Sequence, residues 1–244
     1  AVQACRRVTR TIFLGSAPSG SNELARGLET SRVLLGCLQP GQPPHVFADA
    51  LGRLEGRLTY LSSGNDRWWL DVRPNLRQEM ESRKKRFDDA AVLDEIRTAV
   101  SRVLGQHPFD AVHVFTRAQD IPDDWELRLV VLPPSAAWTR AGPNPARDMA
   151  QQMLRTRGEQ PRQKQNRMLF LAPDFDQVGR LKDIVRILLA WRSIESDIKE
   201  LRLTGDNHQA RQATQGREQA AETLLRLVRE TFRWLVAPAQ LEKR

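Results

Sequence analysis

The 244-residue sequence is poor in cysteine, in aromatic residues and in long apolar runs. Its 2 cysteines, Cys5 and Cys37, lie far apart and have no histidine at a spacing typical of metal sites. They therefore predict buried, reduced thiols rather than a disulfide framework or a zinc site. The apolar runs are too short for a membrane span, and the N-terminus lacks the pattern of a signal peptide. These absences predict a cytoplasmic protein.

The sequence also lacks catalytic side chains at the spacings that catalytic motifs require. The segment Gly15–Gly20 has two glycines five apart, as in a phosphate-binding loop, but Ser21 and Asn22 follow it. A Walker A motif needs Lys and then Ser or Thr there, because the ammonium must reach the β- and γ-phosphates. The four histidines are scattered, and Asp123-Asp124 has no second carboxylate pair or lysine nearby in sequence. We predict no catalytic residue, metal site or cofactor in this chain itself.

The sequence carries an excess of positive charge. The chain holds 38 Lys and Arg against 30 Asp and Glu, which gives a net charge of +8. The excess is +4 in residues 1–105 and +5 in residues 161–244, whereas residues 106–160 carry −1. A basic balance favours an anionic partner such as nucleic acid.

The first part of the chain combines helices with a β-hairpin. Apolar spacing, caps and turn residues predict, in order, a strand at Thr9–Leu14, a helix over Glu23–Leu38, a helix over His45–Leu54, a hairpin within Arg53–Phe87, a helix from Pro74-Asn75, and a helix from Asp88-Asp89 to Gly105. Helices followed by such a hairpin are typical of a winged-helix module, which binds DNA or a partner protein.

The predicted hairpin carries two adjacent tryptophans. We expect a loop of four residues around its Gly-Asn-Asp turn, which is longer than the tight two-residue type. Side chains alternate along a strand, so Leu58 and Tyr60 should share one face, as should Trp68, Leu70 and Val72 across the turn. That face should be the core face. Trp69 should then point the other way, together with Leu61.

The second part alternates short strands with helices. The pattern predicts strands at Ala111–Phe115, Leu127–Leu132 and Met168–Leu171, a helix from Asn144-Pro145 to Arg157, a helix that starts after Asp174, and a last helix that carries Trp234 and Leu235 and ends at Pro238. Strands in this arrangement with helices indicate a small α/β layer domain.

Together these elements predict a mixed α+β fold. We expect a winged-helix-like module with a long trailing helix at residues 1–105, a small α/β domain at residues 106–203, and a C-terminal helix at residues 204–244.

Seven residues near the hairpin are candidates for contact with nucleic acid: Arg67, Trp69, Arg73, Arg83, Lys84, Lys85 and Arg86. Tryptophan can stack on a base, and arginine and lysine can bind phosphates. Two alternatives stay open. Trp69 would instead be a core or interface residue, and the basic run would be a solvated cluster that stabilises the end of a helix.

Several stretches together resemble one protein family. They are RTIFLGSAP, GLETSRVLLGCLQPG, LGRLEGRLTYL, RWWLDVRPNL, NRMLFLA and LAWRSI. The family comprises large bacterial and archaeal ATPases of the AAA-plus type, classified through a domain of unknown function. They are often encoded beside DNA methyltransferases and helicases, in clusters that resemble restriction or phage-defence islands. The resemblance covers most of the chain.

The resemblance implies an accessory role. In this family the nucleotide-binding motifs lie upstream, so ATP and magnesium are implied for the parent protein and not for this chain. We expect a non-catalytic region of such an ATPase that engages DNA or a partner protein through the winged-helix-like module. The alternative is an oligomerisation or docking module without nucleic-acid contact, whose partner is the ATPase core, a methyltransferase or a helicase. A stand-alone enzyme with an unrecognised site is a third hypothesis.

Overall fold

We describe the fold from a computed structural model, which describes residues 2–16, 27–71, 75–200, 203 and 207–239. The chain divides into two compact units. The first comprises residues 1–83 and 192–213, and the second comprises residues 84–191 and 214–244. The predicted boundary at residue 105 differs because the helix at residues 89–104 belongs to the second unit, and the predicted boundary at residue 203 differs because each of the last two helices contributes residues to both units.

Within its described residues, the first unit has four α-helices and three short strands that begin before residue 84. In chain order they are α1 (Val2–Ser16), β1 (Leu28–Glu29), α2 (Thr30–Cys37), α3 (His45–Glu55), β2 (Leu61–Gly64), β3 (Arg67–Leu70) and α4 (Leu76–Lys84), whose last residue already belongs to the second unit. The helix predicted over Glu23–Leu38 is thus divided into a strand and a shorter helix, and its residues 23–26 lie outside the described part of the chain.

Helix α1 replaces the strand that was predicted at Thr9–Leu14, so this prediction was wrong. The β-branched residues of that stretch favour a strand locally. However, Ala4, Val8 and Ile12 recur at four-residue intervals, and all three are buried. A stripe at this spacing packs as one face of a helix, and the gain from packing overrides local propensity.

The hairpin is tighter than predicted. Gly64 pairs with Arg67 across a two-residue turn at Asn65 and Asp66, whose φ angles are 50° and 59°. Positive φ at both central residues is the requirement of a type I′ turn, which matches the twist of the strands. Strand β3 also pairs with β1, so the antiparallel sheet has the order β1-β3-β2.

The two-residue turn changes which residues share a face. Leu61 is opposite Leu70, and Ser63 is opposite Trp68. Paired residues lie on the same side of a sheet, so Leu61 faces the core with Trp68 rather than lying with Trp69 as predicted. Leu58, Trp68 and Leu70 pack against the core of the first unit, as expected. The prediction for Tyr60 was wrong, because it lies before the first residue of β2 and is 54% exposed. Val72 lies outside the described residues.

The core of the first unit is formed by α1, α2, α3 and β2. Its buried members are Ala4, Val8, Ile12, Val33, Cys37, Phe47, Ala50, Leu51 and Leu61. Both cysteines are free thiols, and Cys37 is buried beside the Thr11 hydroxyl at 3.3 Å. The predicted helix over His45–Leu54 is confirmed as α3, with Phe47 and Leu51 on its buried face.

The second unit contains a four-stranded sheet and its helices. The elements are α5 (Asp89–Leu104), β4 (Ala111–Val114), β5 (Arg128–Val131), α6 (Pro145–Arg155), β6 (Thr156–Arg157), β7 (Gln160–Pro161), β8 (Met168–Pro173) and β9 (Phe232–Val236). Two long helices, α7 (Phe175–Lys199) and α8 (Asn207–Thr231), each contribute residues to both units.

The sheet has the order β4-β5-β8-β9. The first three strands are parallel, and β9 is antiparallel to β8. Alternate residues of β5 and β8, among them Val130 and Phe170, pack with Ala146 and Ala150 of α6 in one buried cluster. The predicted strands and the predicted α/β layer are confirmed.

Strand β9 lies where the last predicted helix should continue. Trp234 and Leu235 were expected within that helix, but α8 ends at Thr231 and both residues lie on β9. The sequence Phe-Arg-Trp-Leu-Val is rich in β-forming residues, and pairing with β8 satisfies its backbone groups. The prediction of a helix through Leu235 was therefore wrong.

Two helix starts agree closely with their predicted caps. The Asp88 carboxylate accepts a hydrogen bond from the Ala91 N–H at 2.8 Å, and the Asn144 side-chain oxygen accepts one from the Arg147 N–H at 3.1 Å. Gly105 ends α5 with a φ of 46°. The mixed α+β class is confirmed. None of the helices in the described ranges is long and apolar enough to cross a membrane.

Candidate functional site

Arg67, the first candidate, is already bonded within its own unit. Its guanidinium forms an ion pair with Glu29 of β1 at 3.0 Å and donates to the Gly27 carbonyl at 2.9 Å. Gly27 has a φ of 75°, and a Cβ there would lie 2.4 Å from the Trp68 carbonyl oxygen. Glycine therefore permits the close approach that brings this acceptor to the hairpin.

The two tryptophans of the hairpin are both held by the fold. The Trp68 Nε1–H donates to the Thr30 hydroxyl at 2.9 Å. Trp69 is only 9% exposed, so its ring is not available to stack on a base. The alternative of a core or interface residue fits Trp69. Arg73 lies outside the described residues.

Arg83 begins the basic run but is 8% exposed. Its guanidinium donates to Glu79 at 2.6 Å and to the Ser193 hydroxyl at 2.7 Å, and it also forms an ion pair with Asp197. Burial alone would lower the pKa of Arg83, but the hydrogen bonds that it donates to Glu79 and Asp197 outweigh burial and raise that pKa. Arg83 is a structural cation and is not available for a phosphate.

The other members of the basic run differ in accessibility. Lys84 forms an ion pair with Asp183 at 2.9 Å, and its side chain is 20% exposed. Lys85 and Arg86 are exposed in the turn after α4. Of the seven candidates, these two are the described cationic side chains that retain open access to solvent.

A buried arginine that the sequence did not indicate organises the loops of the second unit. Arg162 is 3% exposed and donates to the backbone carbonyls of Ala118, Ile121, Pro122 and Met153 at 2.8–3.2 Å. Desolvation lowers the pKa of its guanidinium. A single arginine in a polar loop carries no local signal for such a role, because all four acceptors come from other segments.

The Asp123-Asp124 pair holds loops of the second unit together. Asp123 accepts hydrogen bonds from the backbone N–H groups of Gln163 and Lys164 at 2.8 and 2.9 Å. Burial raises the pKa of its carboxyl, but these bonds and the Arg162 charge outweigh burial and lower it. Asp124 pairs with Arg128, which lowers the pKa of Asp124.

His113 lies on β4 beside Arg128. Its Nε2 is 3.2 Å from a guanidinium nitrogen of Arg128. Burial, and then the positive charge of Arg128, lower the pKa of His113, although Asp124 opposes this shift. No group of three or more His, Cys, Asp or Glu within the described ranges could hold a metal ion.

A second cluster of aromatic and basic residues lies in the second unit. The rings of Trp138 and Trp234 stack with centroids 5.6 Å apart and an interplanar angle of 22°. Arg147 lies over Trp138 at 5.6 Å, and Arg140 and Arg233 lie over Trp234 at 5.8 and 5.9 Å. We call these five residues the tryptophan–arginine cluster.

Two features position this cluster. The Trp234 Nε1–H donates to the buried Asp174 carboxylate at 3.0 Å, while Asp174 also accepts from the Asp176 N–H at the start of α7. Trp138 forms a bridge with Asp174 through backbone hydrogen bonds. The sequence missed the cluster because Trp138 and Trp234 lie almost 100 residues apart and meet only when β9 pairs with β8.

The apparent phosphate loop is not in the required context. Gly15 and Ser16 are the last residues of α1, and the Ser16 hydroxyl donates to the Ile12 carbonyl within that helix. A phosphate loop follows a strand, and here a helix takes its place. Ser21 and Asn22 lie outside the described residues. Gly15 and Ser16 therefore do not form the start of a phosphate-binding loop.

Comparison with known proteins adds no relative to this description: no family model, no curated protein and no solved structure matches the chain.

Proposed function

We propose that the chain is a non-catalytic accessory region of a AAA-plus-type ATPase linked to DNA restriction or phage defence, and that its first unit is a winged-helix-like module that docks a protein. The resemblance of six sequence stretches supports the assignment to this ATPase family. We infer that the occupant is the ATPase core of the same polypeptide.

The order of elements supports the winged-helix part of the proposal. A winged helix adds a β-hairpin to a helix-turn-helix, with a first short strand that pairs beside the hairpin. The first unit has the order α1, β1, α2, α3, β2, β3 and the sheet order β1-β3-β2. In this arrangement α3 is the second helix of the helix-turn-helix, which is the one that usually contacts the partner.

One observation carries the choice of protein over DNA: in the hairpin region, which we define as residues 53–87, three of the candidate residues for nucleic-acid contact are engaged internally. Arg67 pairs with Glu29, Arg83 pairs with Glu79, and Trp69 is buried. The turn of the hairpin presents Asn65 and Asp66, and a carboxylate there repels phosphate.

Exposed apolar residues support a protein surface on the same unit. Phe13 and Leu14 are consecutive on α1 and are 62% and 71% exposed, and Leu35 on α2 is 78% exposed. Tyr60, just before β2, is 54% exposed. Adjacent large apolar side chains on a surface are typical of an interaction site.

Co-purification tests the docking proposal. The tagged chain and the ATPase core are co-expressed, and the captured fraction of the core is measured. Leu35→Asp and Tyr60→Asp should each reduce capture at least fivefold, because a charge in an apolar interface is desolvated without a partner. The control variant Lys85→Ala/Arg86→Ala should retain full capture. Capture that is unchanged in both aspartate variants contradicts the proposal.

A second candidate, DNA binding through the hairpin region, rests on the exposed Lys85 and Arg86. It predicts that the Lys85→Ala/Arg86→Ala double variant loses affinity for duplex DNA, most clearly at low salt. Retained affinity in that variant excludes it.

The hypothesis of a stand-alone enzyme has less support. A depression of about 420 Å³ lies beside α7 and Leu227, and its charged lining residues are Arg180 and Asp183. Asp183 is already paired with Lys84. This lining offers no nucleophile with an adjacent base, which acyl or phosphoryl transfer would require.

A further inference from the structure

The three arginines of the tryptophan–arginine cluster are exposed, and the guanidinium of each lies over a tryptophan ring. None of them forms an ion pair with a carboxylate in the described ranges. Arg67, Arg83 and Lys84 all do so. The cluster therefore presents positive charge that the fold leaves uncompensated.

Stacking on tryptophan prepares an arginine for a ligand. In these cation–π contacts the guanidinium carbon lies 5.6–5.9 Å from a ring centroid, and the ring occupies none of the N–H groups with a hydrogen-bond acceptor oxygen. The ring thus restricts the rotation of the side chain and leaves the donors available. Such a planar fork binds a phosphate group through two parallel hydrogen bonds.

The cluster also has an exposed aromatic neighbour. Phe175 is 61% exposed, and its backbone N–H donates to the Trp138 carbonyl at 3.1 Å. Exposed aromatic rings beside cationic side chains are the usual elements of surfaces for single-stranded nucleic acid, where bases stack and phosphates pair.

We propose that the tryptophan–arginine cluster, together with Phe175, is a binding surface for single-stranded nucleic acid. Arg140, Arg147 and Arg233 bind successive phosphates of the backbone, and Phe175 stacks on a base. Asp174 acts as a positioning residue, because it holds the Trp234 ring through Nε1. This inference concerns the second unit and does not depend on protein docking by the first.

The acidic groups of the neighbouring elements limit the affinity without cancelling the surface. Asp148 lies in the first turn of α6 and Asp176 in the first turn of α7, where a carboxylate offsets the helix dipole. Both are exposed, so solvent screens their charge. The buried Asp174 carboxylate is already satisfied by two N–H donors.

Fluorescence anisotropy with a labelled oligothymidine tests the proposal. The full chain should bind at low salt, and Arg140→Ala/Arg233→Ala should weaken binding at least tenfold. The matched control is Lys85→Ala/Arg86→Ala, which removes the same charge from exposed residues elsewhere and should change affinity less than twofold. Thermal unfolding should be the same for both variants, because neither pair is buried.

Two further measurements separate base stacking from phosphate contact, and binding of a phosphate backbone from binding of free phosphate. Phe175→Ala should weaken binding about threefold to tenfold and leave its dependence on salt unchanged, since stacking releases no counterions. Inorganic phosphate at millimolar concentration should not displace the oligonucleotide beyond its effect on ionic strength.

Four results would overturn the proposal. They are the absence of binding at low salt, an equal loss in the two double variants, tighter binding of duplex than of single strand, and displacement by free phosphate. The last would indicate a simple anion site in place of a surface for a polymer.

Discussion

The hairpin region and the tryptophan–arginine cluster both combine tryptophan with basic side chains, yet the charges are used differently. In the hairpin region Arg67 has a carboxylate partner and Trp69 is buried. In the cluster, Arg140 and Arg233 are exposed and contact a ring that carries no formal charge. The comparison teaches that basic residues adjacent in sequence do not by themselves make a binding surface.

The reason is the cost of releasing a paired charge. A phosphate that recruits Arg83 would have to break contacts with Glu79 and Asp197, and it would leave those carboxylates without their partner. A phosphate that recruits Arg140 or Arg233 breaks no ion pair within the described residues. Accessible charge, and not total charge, should therefore decide where an anion binds.

The substitution with the largest expected effect on stability is at Trp69. Trp69→Ala should reduce the free energy of unfolding by about 3–5 kcal/mol, because it removes a buried aromatic side chain. Denaturant titration followed by circular dichroism measures this. Tyr60→Ala is the control and should change stability by less than about 1 kcal/mol, since Tyr60 is 54% exposed. A loss of oligonucleotide binding in a Trp69→Ala variant of normal stability would break the comparison.

Arg83 comes next. Arg83→Ala should destabilise the protein by about 2–4 kcal/mol, because it leaves two partly buried carboxylates and a hydroxyl without their donor. Its neighbour Arg86 is exposed, so Arg86→Ala should stay within about 0.5 kcal/mol of the original chain. Equal stability of the two variants would mean that the Arg83 contacts do not hold the fold.

The smallest expected effect on stability is a pH dependence that His113 contributes. Its pKa is lower in the folded chain than the usual 6.5, so the unfolded chain binds more protons as the pH falls toward and below that value. Stability should therefore decrease as the pH falls through about 6.5, and His113→Asn should reduce this loss. Thermal unfolding across pH 5–8 measures it. A stability that increases on acidification through this window, and does so only with His113 present, contradicts the sign.

Local signals were sufficient for several elements. Helices α3 and α5 and strands β5 and β8 could be predicted because their apolar spacing, caps and breakers lie within the elements themselves. Asp88 and Gly105, for example, mark the two ends of α5 in sequence as they do in the fold.

The remaining features depend on distant partners. The stretch of α1 looks like a strand until its stripe meets α2 and α3, and β9 looks helical until β8 pairs with it. The pairing of Arg83 with Asp197 spans 114 residues. No local pattern in the sequence indicates such a contact, so the buried position of Arg83 could not be predicted.

The salt dependence of oligothymidine binding tests the central claim most directly. If the cluster arginines bind phosphates, then Arg140→Ala/Arg147→Ala/Arg233→Ala should lower the slope of log affinity against log salt by about 2, because each phosphate contact on a single strand contributes about 0.7. A slope that is unchanged in this triple variant, with the reduction appearing instead in Lys85→Ala/Arg86→Ala, would contradict the account.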